Sequence, residues 1–100
     1  MRKGDRRKKI QSIADKIIYY LTLELPELDI DFVYTNSKII SRYICIVREN
    51  KQYIIRISDH YNSNKGSYNY EIILDYFEEF KICSNVMNII KNMEEYYEDK

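Results

Sequence analysis

Glycine, proline, alanine and tryptophan are scarce in this chain of 100 residues, which has two glycines, one proline, one alanine and no tryptophan. With only Gly4 and Gly66, it has no glycine-rich loop of the kind that cradles phosphate groups. Long hydrophobic runs are also missing, because no uninterrupted apolar run exceeds five residues. These absences exclude a nucleotide-binding loop and a transmembrane helix, and they predict a cytoplasmic protein without a secretory signal.

Metal-ligating residues are equally few. The chain has two cysteines, Cys45 and Cys83, which lie among isoleucines without CxxC spacing, and a single histidine, His60. A zinc site needs about four such ligands. We therefore expect no metal and no cofactor, and we predict two reduced, buried thiols.

The composition is that of a globular protein, with 45% hydrophobic and 32% charged residues. We predict one domain over 1–100, in which the basic segment 1–9 can fray. Isoleucine, lysine, asparagine and tyrosine supply 46 residues. All four are encoded by AT-rich codons. The eleven tyrosines therefore have two competing explanations, an AT-rich genome and a recognition surface.

Charge is balanced but segregated along the chain. Seven basic and two acidic side chains give residues 1–23 a net charge of +5, whereas eight acidic and three basic side chains give residues 68–100 a net charge of −5. A neutral protein of this kind fits a protein partner better than a nucleic acid. We accordingly interpret the basic cluster over residues 6–9 as the solvent-exposed start of a helix, in preference to a site of phosphate contact.

Hydrophobic periodicity predicts an amphipathic helix at each end of the chain. Asp5 is the expected N-cap of the first helix and Pro26 its stop, while Ser84 or Asn85 is the expected cap of the last helix. The first apolar stripe comprises Ile10, Ile13, Ala14, Ile17, Ile18, Leu21 and Leu25. The second comprises Val86, Ile89, Ile90, Met93 and Tyr97.

Alternating patterns between the helices predict strands over 30–35, 39–48 and from Lys51 onward, the last two joined by a two-residue turn at Asn50 and Lys51. The core-facing residues of this hairpin are Ile44, Ile46, Tyr53, Ile55 and Ile57, with Ile44 opposite Ile57. The other face is mixed: Ser41, Tyr43, Cys45, Val47, Ile54, Arg56 and Ser58. Residues 68–74 fit either a fourth strand or a helix.

The resulting fold class is α+β: an N-terminal helix, a three- to four-stranded antiparallel meander, and a C-terminal helix packed on one sheet face. The mixed outer face of the hairpin leaves room for a partner, including a second copy of the chain in a homodimer.

The only histidine follows the third strand in a pattern that has two interpretations. Arg56, Ser58 and His60 share one parity, and the predicted register places Tyr43 opposite Ser58. In a metal-independent ribonuclease, His60 would move the proton of a 2′-hydroxyl while Arg56 holds the phosphorane charge. The layout resembles that of barnase-like and RelE-like nucleases in arrangement only.

The other interpretation of the same residues is structural and is favoured. Asp59 caps the loop that follows, His60 is a polar surface residue, and Arg56 pairs with an acid such as Glu71. A binding role for these residues is the third possibility.

The acidic C-terminal third interleaves carboxylates with aromatic rings, over residues 75–79 and again over 94–99. Carboxylates mimic phosphates and tyrosines mimic stacked bases, so such a surface can occupy the nucleic-acid channel of another protein. A solvated helix face is the simpler explanation. The residues predicted to contact a partner are Tyr43, Arg56, His60, Tyr61, Glu94, Glu95, Tyr96, Glu98 and Asp99.

In size, composition and layout the chain resembles small anti-defence proteins of phages and mobile elements, including anti-CRISPR proteins. The resemblance rests on residues 41–43, residues 53–60 and the acidic, tyrosine-bearing tail. It implies a binding protein rather than an enzyme, which inhibits a host protein such as a CRISPR or other defence nuclease in the bacterial cytoplasm. The alternative remains a small ribonuclease or RNA-binding toxin-like domain that uses His60, Arg56, Ser58 and Tyr43.

Overall fold

The computed structural model describes residues 3–27, 29–34, 41–60, 68–74 and 81–98. Their secondary structure is α+β, as predicted, with a helix at each end and the strands between them. The elements in chain order are α1 (Lys3–Glu24), β1 (Asp29–Tyr34), β2 (Ser41–Arg48), β3 (Lys51–Ser58), β4 (Tyr70–Ile73) and α2 (Ile82–Glu98).

The first helix buries the stripe that its periodicity predicts. Ile10, Ile13, Ala14, Ile17 and Leu21 are at most 1% exposed, and the remaining two members of the stripe are partly buried. The helix ends at Glu24, two residues before Pro26. Its start differs from the prediction, because α1 already includes residues 3–9 and the Asp5 carboxylate therefore lies in the first turn rather than at the cap.

The strands form one mixed sheet in the order β1-β2-β3-β4, which corrects the expectation of a wholly antiparallel meander. The first three strands are antiparallel, but β4 runs parallel to β3, with Arg56 beside Glu71. Asn69 begins the pairing: its backbone N–H donates to Ile54 O (2.8 Å), and its side-chain oxygen accepts from Ile54 N–H (2.9 Å). Residues 70–73 are thus a strand.

The β2–β3 hairpin turns at Glu49 and Asn50, one residue earlier than predicted. Both residues have positive φ, 51° and 69°, as a two-residue turn of type I′ requires. Ile44 consequently pairs with Ile55 instead of Ile57. This two-residue change of register preserves the parity of every side chain, so the predicted core face is confirmed.

Both helices cover that single face of the sheet, as the predicted two-layer arrangement requires. The core cluster joins the α1 stripe to Ile44, Ile46, Tyr53, Ile55, Ile57, Ile72, Leu74, Ile82, Val86, Ile89, Ile90 and Met93. The predicted caps of α2 were wrong, because the helix begins at Ile82 and both residues lie in its first turn. The Asn85 amide instead donates to Lys81 O at 2.9 Å.

The cysteines do not share one environment. Cys45 is half-buried on the sheet, as a structural thiol would be, but Cys83 is exposed on α2, which corrects the prediction of two buried thiols. Neither forms a disulfide.

Candidate functional site

Arg56 is the centre of a polar cluster on the sheet face opposite the helices. Its side chain is 2% exposed, and Ser58 is fully buried beside it. Arg56 Nη1 donates to Ser58 Oγ at 2.8 Å, and that hydroxyl in turn donates to His60 O at 2.7 Å. Arg56, one of the residues predicted to contact a partner, is therefore covered, as is Ser58 beside it.

Glu71 is the charge partner of Arg56. The parallel register of β3 and β4 sets the two residues side by side, and Arg56 Nη1 lies 2.6 Å from Glu71 Oε2. The carboxylate is 14% exposed, so the pair is largely withdrawn from water. The predicted pairing of Arg56 with an acid such as Glu71 is confirmed.

Both ring nitrogens of His60 are engaged by neighbours. Nε2 lies 3.0 Å from Arg56 Nη2, and Nδ1 lies 2.8 Å from Asp59 Oδ1. A guanidinium can only donate, so Nε2 is the acceptor in this contact, and Nδ1 faces an oxygen that can only accept. Asp59 Oδ2 is 3.7 Å from Arg6 Nη1, which links the cluster to α1.

The cluster is built to hold strands together rather than to act on a phosphate. Arg56 Nη1 and Nη2 both face protein groups, and the lone pair that a general base would need on His60 faces a cation. The Arg56 Nε is buried without a hydrogen-bond partner among the described residues, so it is inaccessible as well. Tyr43 lies opposite Arg56, not opposite Ser58 as predicted, and is half-buried.

The acidic tail divides into two sides. Glu94, Glu95 and Glu98 are exposed on α2, as the predicted contact surface requires. The neighbouring tyrosines, Tyr96 and Tyr97, face the β2–β3 hairpin instead. The Tyr96 ring makes an edge-on contact with Tyr53 at 5.6 Å, and Tyr97 donates its hydroxyl to Ile46 O at 3.2 Å.

These tyrosines are therefore partly withdrawn from the surface on which they were predicted to mimic stacked bases. Burial raises the pKa of Tyr53 to about 12, and burial is also the main cause of the raised pKa of Tyr97. Lys51 and Arg48 lie over the Tyr96 and Tyr97 rings at 5.5 and 5.7 Å. Of the other predicted contact residues, Tyr61 and Asp99 lie outside the described residues.

The residues that the sequence analysis missed are three large hydrophobic side chains on the outside of the helices. Tyr19, Leu23 and Met87 are 61%, 59% and 56% exposed. Tyr19 and Leu23 are one turn apart on α1, and Met87 lies one turn after Cys83 on α2. The sequence signal was present: each hydrophobic side chain falls outside the apolar stripe of its helix.

The two helices meet beside these side chains, at Tyr20 and Cys83. Tyr20 forms a side-chain hydrogen bond with Cys83, which is the main cause of its raised pKa, and its ring lies 5.6 Å from that of Tyr19. We call Tyr19, Leu23, Cys83 and Met87 the helix-layer patch.

The chain matches no known protein family, no curated protein and no solved structure. Neither of the described helices combines the length and the apolar character needed to cross a membrane. Within the described ranges, no group of three His, Cys, Asp or Glu side chains is placed to hold a metal ion.

Proposed function

We propose that this chain is a binding protein that recognises another protein through the outer side of its two helices, and that the partner carries a basic, nucleic-acid-binding surface. The observation that carries the proposal is the exposure of Tyr19, Leu23 and Met87 on the helix layer. Large apolar side chains exposed together are typical of protein interaction sites.

The apolar and acidic parts of this surface share one face of α2. Met87, Lys91, Glu94, Glu95 and Glu98 are all exposed and recur at three- and four-residue spacing. Met87 and Glu98 are about 16 Å apart along the helix axis at the standard rise per residue. A partner that covers the helix-layer patch is therefore within reach of three carboxylates.

Charge selects the class of partner. Exposed carboxylates attract a basic surface and repel an acidic one, which gives the contact its orientation and raises its association rate. Basic protein surfaces are the usual binding sites of nucleic acids. The partner that fits is thus a nuclease or another nucleic-acid-binding protein, whose channel the acidic end of α2 would obstruct.

The resemblance to anti-defence proteins of phages and mobile elements adds the biological setting of the proposal. In that setting the partner is a defence nuclease of a bacterial host, such as a CRISPR effector, and binding inhibits it. The chain would act in the bacterial cytoplasm, where its partner works.

Two matched variants test the proposal once the partner has been captured and identified. Glu94→Lys/Glu98→Lys should weaken binding at least tenfold at low salt, whereas Glu27→Lys/Glu49→Lys, with the same charge change on exposed residues elsewhere, should change it less than about twofold. Equal losses in the two variants would leave only a general charge effect and would refute a defined acidic contact.

The ribonuclease alternative has a separate test. Because Arg56 and His60 are engaged with each other, we expect purified protein to cleave no RNA in the presence of a chelator, and His60→Ala to make no difference. Cleavage that disappears with His60→Ala in a variant that keeps its fold would reverse the order of the two hypotheses.

A further inference from the structure

A basic concavity lies along the first half of α1, on the same side of the helix as Tyr19 and Leu23, which follow it at helical spacing. A shallow groove of about 580 Å³ runs between the first half of α1 and the start of β2. Four of its seven lining side chains are basic and one is acidic: Arg7, Lys8, Lys16 and Arg42, with Asp15, Gln11 and Ser12 between them. We call this the α1–β2 groove.

Its floor is organised by two hydrogen bonds. Arg42 Nε donates to Gln11 Oε1 at 2.8 Å, and Gln11 Nε2 donates to Asp15 Oδ1 at 2.8 Å. Arg42 reaches the groove only through tertiary packing, because it lies on the helix side of β2, more than thirty residues from Gln11 in the chain. The sheet thus adds a guanidinium to a basic row that the helix already carries.

We infer that the α1–β2 groove binds the phosphate backbone of a nucleic acid. The row from Lys8 to Lys16 is about 12 Å long at the standard helical rise, so it matches a run of phosphates and exceeds what a single phosphate group spans. Basic side chains supply most of the free energy of binding to such a backbone. The groove is open along its length, as a chain-like ligand requires.

The charge of the row itself supports an anionic ligand at this position. The Arg7 and Lys8 side chains are exposed, so neither is held there by burial. A bound polyanion would offset the mutual repulsion of the basic side chains.

This inference does not rest on the proposed protein interface, which uses other residues. It sets a basic groove on α1 against the acidic end of α2 in one neutral chain.

Fluorescence anisotropy with a labelled single-stranded RNA of about 16 nucleotides, and with a DNA duplex of equal length, tests the inference directly. Arg7→Glu/Lys8→Glu should weaken binding at least tenfold at about 50 mM salt, and it should reduce the slope of log K against log salt by at least about 1.4 for two lost phosphate contacts on a single strand. Lys81→Glu/Lys91→Glu, the matched control just before and within α2, should weaken binding less than threefold.

A variant of opposite sign makes the test specific to the groove. Asp15→Asn removes the one acidic side chain of the groove and keeps an oxygen acceptor for Gln11, so it should tighten binding about two- to fivefold. The inference is overturned if Asp15→Asn has no effect, if both double variants lose affinity equally, or if inorganic phosphate competes as well as unlabelled RNA at equal phosphate concentration. Unchanged thermal unfolding of each variant confirms that the fold is intact.

Discussion

Arg56 and Glu71 lie side by side on the parallel strands β3 and β4, with 2.6 Å between Arg56 Nη1 and Glu71 Oε2. The arginine is 2% exposed, so its charge is neutralised within the protein and not by water. Ser58 and His60 bind the same guanidinium. The short strand β4 is thus attached to the sheet by a buried ion pair in addition to its backbone hydrogen bonds.

Breaking this ion pair should destabilise the fold strongly. We expect Arg56→Met to lower the free energy of unfolding by about 3 kcal/mol, because it leaves the Glu71 carboxylate poorly solvated and unpaired. Glu71→Gln should cost less, since an amide oxygen still accepts from the guanidinium. Urea unfolding of the two single variants and the double variant measures their coupling, which we expect to be about 1–3 kcal/mol.

The matched control for this cycle is Arg6 with Asp59. Their atoms are 3.7 Å apart and their side chains are 30% and 18% exposed, so Arg6→Ala and Asp59→Ala should couple by less than about 0.5 kcal/mol. A coupling as small between Arg56 and Glu71 would show that the buried pair does not hold β4.

Tyr53 should make the protein sensitive to alkaline pH. Burial raises its pKa from 10.0 to about 12 in the folded protein, so between these values the folded state binds more protons than the unfolded state. The stabilisation is complete below pH 10 and is lost as the pH rises toward 12, by roughly 2 kcal/mol. Thermal unfolding measured from pH 8 upward should show this decline.

Tyr53→Phe separates this titration from packing. The Tyr53 hydroxyl is buried without a hydrogen-bond partner among the described residues, so the variant should match or exceed the stability of the parent at neutral pH. Its alkaline decline should be shallower, with a remainder from Tyr20, Tyr70 and Tyr97, whose pKa values are also raised. An unchanged decline would contradict the assignment to Tyr53.

The hairpin turn offers a route to higher stability. Glu49 and Asn50 occupy the left-handed region of backbone conformation, which costs a residue with a Cβ atom about 1–2 kcal/mol. The pair Asn-Gly is preferred in this turn type, so Glu49→Asn/Asn50→Gly should raise the free energy of unfolding by about 1 kcal/mol. Denaturant midpoints with unchanged slopes measure the gain.

Glycine in the neighbouring strand is the control for that prediction. Gln52 is exposed and extended in β3, so Gln52→Gly should lower stability by about 0.5–1 kcal/mol. If glycine lowers stability equally at positions 50 and 52, the positive φ angles carry no strain.

Local periodicity predicted much of this fold correctly. The stripe from Ile10 to Leu21, the α2 stripe and the core face of the hairpin depend on spacing along one element, which the sequence contains in full. The turn was placed one residue late because Asn50 was assigned as its first residue, whereas Glu49 takes that position. The side chains of the hairpin were still assigned to the correct faces of the sheet, because the register changed by two residues, an even number.

Non-local features were beyond this reasoning. An alternating pattern such as that of residues 70–73 does not reveal whether a strand runs parallel or antiparallel to its neighbour. The burial of Arg56 depends on β4 and on Tyr68, whose ring lies 5.8 Å from the guanidinium. The alternation along β3 alone contains neither of these, so it predicted that Arg56 is on the surface. Likewise, Arg42 joins the α1–β2 groove only through tertiary packing.

We assign an architectural role to the side of the sheet centred on Arg56, and we propose recognition of a partner through the two helices. The structure offers two exposed positions that discriminate between these assignments. Met87 lies in the helix-layer patch, and Gln52 is exposed in the hairpin. Neither side chain is part of the buried core, so each accepts a bulky photoreactive residue.

The most direct test is photocrosslinking in the native host cell with benzoylphenylalanine at Met87 or at Gln52. We predict that the Met87 position traps one discrete protein with a basic nucleic-acid-binding surface, that Tyr19→Ser/Leu23→Ser abolishes the adduct, and that the Gln52 position traps none of it. An adduct formed equally from both positions, or one that persists in Tyr19→Ser/Leu23→Ser, would contradict recognition through the helix layer.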